Sequence, residues 1–61
     1  MIEKDELSLL QELSARLKSE QRALLLAAAR NGELPAQSTL QRVAQLELNI
    51  AAIENTLSEK A

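Results

Sequence analysis

Seven hydroxyl side chains, those of Ser8, Ser14, Ser19, Ser38, Thr39, Thr56 and Ser58, are the nearest this chain comes to a nucleophile. A serine or threonine hydroxyl is a weak nucleophile until a neighbouring base takes its proton. The chain has no His and no Cys, so neither a Ser-His nor a Cys-His arrangement can form, and no Ser-Lys pair is singled out by spacing. Paired carboxylates occur, as at Asp5 and Glu6. Catalytic carboxylates, however, need a cleft around them, and adjacent acids on an exposed helix start are solvated. Gly32 is the single glycine, so no phosphate-cradling loop can be built. Thiolate and imidazole ligands for a metal are both missing. The reading is therefore no catalytic residue, no metal ligand, no cofactor and no enzyme. What remains is association. Arg16, Lys18 and Arg22 form a small basic cluster, read either as a solvated face or as a patch for an acidic partner.

The elements that carry these residues follow from composition and punctuation. Residues 3–31 hold neither Gly nor Pro and are rich in Leu, Ala, Glu, Gln, Lys and Arg, the strong helix formers. Glu3, Asp5 and Glu6 suit the positive end of the helix dipole, and Arg30 suits the negative end. Asn31-Gly32 supplies a left-handed stop. Pro35 then fits the first turn of a following helix. A competing start is Ser38, where Ser38-Thr39-Leu40-Gln41 matches the capping-box pattern. One domain over residues 1–61 results: helix 1 about 3–31, a turn at 32–35, and helix 2 about 36–58. The fold class is all-α, an antiparallel two-helix hairpin of coiled-coil type.

Periodicity gives each helix an apolar seam. Val43, Leu46, Ile50, Ile53 and Leu57 follow strict 3-4 spacing in helix 2. Leu10, Leu13, Leu17, Leu24 and Ala28 do so in helix 1, with Glu20 or Gln21 at the gap. Facing residues of a tight antiparallel hairpin have position numbers with a constant sum. Leu24 with Val43, Leu17 with Ile50 and Leu10 with Leu57 share one sum, whose midpoint falls inside the turn. The gap at Glu20 and Gln21 has two readings, a solvated edge or a buried polar layer that sets register. The Ala27-Ala28-Ala29 run is either helix-forming filler or a place where another helix approaches closely.

Two helices cannot hide all their apolar surface. Leu40, Ala44, Leu48 and Ala51 form a second stripe on helix 2, turned roughly 110° from its seam at about 100° per residue. On helix 1, Leu26 points away from the seam, and Leu7 and Leu25 lie at its edge. Leu26, Leu40, Ala44, Leu48 and Ala51 are thus the candidate partner-binding residues. Size points the same way. The chain has 61 residues, and small scaffolds normally need disulfides, a metal or oligomerisation. The partner is another protein, with a second copy giving a four-helix bundle as one form.

Charge and hydropathy exclude other classes. A net charge of −2, with seven basic residues and no aromatic residue, gives neither the basic stripe nor the stacking platform of a nucleic-acid binder. The longest apolar run, Ala23 to Ala29, falls far short of the roughly 20 residues of a membrane helix. The acidic start at Met1-Ile2-Glu3-Lys4-Asp5-Glu6 lacks the apolar region of a secretory signal. The expected location is the cytoplasm, without membrane insertion.

The turn Arg30-x-Gly32-x-x-Pro35-x-Gln37, followed by Leu40-Gln41 and Leu46-Glu47, resembles that of the YscE-type small co-chaperones of bacterial type III secretion needles. The likeness covers most of the chain by length and layout. It departs in the absence of aromatics after the turn and in a spacing to Leu46-Glu47 shifted by a residue or two. The resemblance implies an antiparallel two-helix hairpin in the bacterial cytoplasm that pairs with a larger helical-repeat chaperone. The pair would hold the needle subunit unpolymerised. Weaker likenesses are to Rop-like RNA-binding hairpins, which the acidic balance here disfavours, and to the exonuclease VII small subunit, through Gly32-Glu33-Leu34-Pro35.

Overall fold

The computed structural model describes residues 4–60, with side chains described through Glu59. The expected helix start at Glu3 lies outside them. Helix α1 runs Lys4–Asn31 and helix α2 runs Gln37–Lys60, and the two pack against each other. The all-α helical hairpin expected from the periodicity is the fold found. The molecule measures 45 × 14 × 14 Å, the length that 28 residues of helix dictate at about 1.5 Å each, with the turn added at one end.

The turn occupies residues 32–36. Gly32 has φ +75, a left-handed conformation that side chains with a Cβ resist. Its N–H donates to Ala29 O at 3.3 Å, satisfying one carbonyl left unpaired at the helix end. Helix α2 begins at Gln37, between the two starts considered above. Ala36 O accepts from Leu40 N at 3.1 Å and from Thr39 N at 3.0 Å, so Ala36 stands at the cap position. Ser38 lies inside the first turn and is not the cap. Pro35 precedes the cap, where its fixed φ directs the chain into the helix.

The buried interior is small. Leu46 and Ile50, 1% and 3% exposed, are the buried hydrophobic residues among those described. Leu7, Leu10, Leu17, Leu24, Ala28, Thr39, Val43, Ile53 and Leu57 are half-buried around them. On α1 the inward row is Leu7, Leu10, Ser14, Leu17, Gln21, Leu24 and Ala28, an unbroken 3-4 alternation. On α2 it is Thr39, Val43, Leu46, Ile50, Ile53 and Leu57, again in unbroken alternation.

One seam position differs from the sequence reading. Ser14 is buried at 5% exposure, while Leu13 is 38% exposed at the margin. The reason is phase. Leu10 and Leu17 are seven apart, so a step of three or of four from Leu10 reaches Leu17 equally well. Only the step of four, to Ser14, keeps the alternation running from Leu7 to Ala28, and packing follows phase rather than the hydropathy of one residue. Ser14 falls opposite Ile53 in the shared register, a small side chain against a large one.

The polar gap is also resolved. Gln21 is half-buried and Glu20 is exposed. Gln21 Nε2 donates across the interface to Val43 O at 3.5 Å and to Glu47 Oε1 at 3.4 Å. Lys18 Nζ pairs with Glu54 Oε2 at 2.5 Å, a second polar tie between the helices. No buried side-chain nitrogen or oxygen among the described residues lacks a partner.

Candidate functional site

The hairpin has two long sides, one to either side of the seam, and they differ. On one side a groove of about 560 Å³ runs between the helices. Helix α1 contributes Lys18, Arg22, Leu25, Leu26 and Ala29, and α2 contributes Glu47, Ile50 and Glu54, with Gln21 at the floor. Leu25 and Leu26 are 50% and 45% exposed. The groove is therefore apolar along α1 near the turn. It is cationic along α1 toward the middle and anionic along α2.

Helical spacing extends this side along α2. Leu40, Glu47 and Glu54 recur every seven residues and share one stripe. Ala44 and Ala51 lie four residues beyond Leu40 and Glu47, on the next stripe outward. Leu40, Ala44 and Ala51 are exposed on that side, while Leu48 is exposed on the outer surface. Of the five candidate partner-binding residues, Leu26 lines the groove, Leu40, Ala44 and Ala51 continue its α2 wall, and Leu48 stands apart from it. Leu25, read from the sequence as a seam-edge residue, belongs to the groove. Its position seven residues after Lys18 is the signal that places the two on one stripe of α1, two turns apart.

The opposite side is more polar. Its α1 edge carries Glu6, Leu13, Glu20 and Ala27, at seven-residue spacing, and its α2 edge carries Arg42, Asn49 and Thr56. Asn49 and Thr56 return their side chains to the carbonyls of Gln45 and Ala52 on their own helix, each at 2.9 Å. A smaller recess of about 280 Å³ lies at the turn, lined by residues that include Leu24, Ala28, Leu34 and Pro35. Leu34 is 94% exposed there.

No group of three His, Cys, Asp or Glu that could hold a metal ion occurs among the described residues. Among them, too, no helix is long and apolar enough to cross a membrane. The geometry supplies an elongated, partly apolar face with cations on one rim and anions on the other. Such a face can bind another helical chain. No protein-family model, curated protein or solved structure matches the chain.

Proposed function

We propose that the chain is a protein-binding helical hairpin that acts by docking its groove face on another helical chain and performs no reaction of its own. The observation that carries this reading is the clustering of exposed apolar side chains on one long side. Leu25, Leu26 and Ala29 on α1 share that side with Leu40, Ala44 and Ala51 on α2. The small interior adds to it. With Leu46 and Ile50 as the buried hydrophobic residues, a 61-residue chain gains stability by covering more surface in an assembly.

The narrower form of the proposal is a cytoplasmic co-chaperone of bacterial type III secretion. In it the hairpin pairs with a larger helical-repeat chaperone and helps keep a needle subunit unpolymerised. Support for that form comes from the turn residues Arg30, Gly32, Pro35 and Gln37 and from Leu40-Gln41 and Leu46-Glu47. The groove is compatible with it, since a helical-repeat protein presents helices to a partner.

Co-purification from the native cell tests the general reading. Tagged wild-type chain should recover a stoichiometric protein partner, and Leu40→Glu with Ala44→Glu should lose it while helicity is retained. Recovery of no partner, with a pure chain that is a stable folded monomer, would count against the reading.

A further inference from the structure

We propose that the groove face binds a second copy of this chain, about a two-fold axis parallel to the hairpin's long axis, so that Arg22 of each copy meets Glu47 of the other. The inference rests on the protein-binding reading above and names the partner. Its first support is charge. The α1 rim of the groove carries Lys18 and Arg22, and the α2 rim carries Glu47 and Glu54. Lys18 is paired with Glu54 in its own chain. Arg22 and Glu47 have no ionic partner among the described residues. The face is thus complementary to itself, as an isologous interface requires.

Charge also selects the axis. Two hairpins placed face to face can be related by a two-fold axis along their length or by one across it. The lengthwise axis lays α1 of each copy over α2 of the other, with both turns at the same end. Arg22 then stands about level with Glu47 of the second copy, because the two positions are nearly opposite in the hairpin's own register. The crosswise axis lays α1 over α1 and brings the basic rims together, and like charges across an interface oppose binding. The lengthwise arrangement also puts Leu25 and Ala29 of each copy near Leu40 and Ala44 of the other, joining the apolar ends of the two grooves.

The face is large enough. A surface of 45 Å by 14 Å has a flat area of about 630 Å², and two such faces clear the roughly 1,000 Å² of a specific interface. The product is a four-helix bundle with the groove residues at its centre.

Sedimentation equilibrium of the pure chain, over a wide concentration range, reads the outcome. Wild type should sediment at twice its 6.7 kDa mass. Arg22→Glu and Glu47→Arg each put two like-charge contacts into the dimer and should each weaken it about tenfold. An equimolar mixture of the two variants should dimerise about as tightly as wild type, because both contacts again pair opposite charges. Circular dichroism checks that each variant keeps its helicity, as exposed positions allow. A wild-type chain that stays a folded monomer overturns the proposal. So does an Arg22→Glu chain that pairs with wild type more tightly than wild type pairs with itself, the result of the crosswise axis, where Arg22 meets Arg22 of the other copy. A monomeric pure chain that captures a different protein through Leu40 and Ala44 overturns the second copy while leaving the protein-binding reading standing. A monomeric chain that captures nothing overturns both.

Discussion

Ile50→Ala and Leu48→Ala form a matched pair that tests the placement of α2. The two residues are neighbours in sequence and lie on different faces: Ile50 is 3% exposed and Leu48 is 71% exposed. Ile50→Ala removes three carbons from the interior. At about 0.8 kcal/mol per buried carbon the transfer loss is about 2.4 kcal/mol. The cavity left between α1 and α2 raises the total into the range of about 2–5 kcal/mol. A chain of 61 residues has a whole stability of about 3–9 kcal/mol at typical per-residue values. Ile50→Ala should therefore remove a large part of it. Leu48→Ala removes carbons that are already mostly in water, and Ala is the better helix former. Its effect on helix stability should stay below about 0.5 kcal/mol. Urea titration followed by circular dichroism at equal protein concentration measures both. Equal losses from the two variants would refute the assignment of faces.

Three further outcomes follow from single features. Gln21→Leu replaces two long hydrogen bonds with apolar contact opposite Leu46, and should stabilise the hairpin by about 1 kcal/mol, raising Tm by about 4–8 °C; a lower Tm would show that the polar layer contributes more than its geometry indicates. Gly32→Ala meets no atom within 4 Å of its new Cβ, so its penalty is backbone strain alone, about 1–2 kcal/mol. Gly32→Asn should cost less, because Asn tolerates the left-handed region, and chemical denaturation ranks the two. Lys18→Met removes an ion pair whose side chains are about half exposed, so the loss should be no more than about 1 kcal/mol and should vanish in high salt.

The turn and the pairing of helices were legible because each rests on residues with few alternatives. Gly32 takes a conformation that other residues resist, and Pro35 cannot continue a helix. The shared register of Leu24 with Val43 and Leu17 with Ile50 then allows one hairpin. Ser14 was less legible, because hydropathy ranks Leu13 above it. Continuing the alternation through Leu7, Leu10 and Leu17 would have found it. The same count distinguishes Gln21 from Glu20, since Gln21 is seven residues after Ser14 and three before Leu24. The groove was harder to read. It depends on which edge residues of two different helices end on the same side, and Lys18, Arg22 and Leu25 on α1 meet Glu47 and Glu54 on α2 only once the hand of the hairpin is known. The cap of α2 was ambiguous for a local reason: Ala36 offers only its carbonyl, and no side-chain signal marks it.

The central claim is that this hairpin completes its stability by covering the groove face with another chain. Thermal unfolding of the pure protein, followed by circular dichroism across a wide concentration range, tests it most directly when the covering chain is a second copy. Folding coupled to self-association predicts a Tm that rises steadily with concentration, and a smaller rise when Arg22→Glu weakens the contact. A Tm independent of concentration, in a chain that sediments as a monomer, would contradict self-association as the source of that stability.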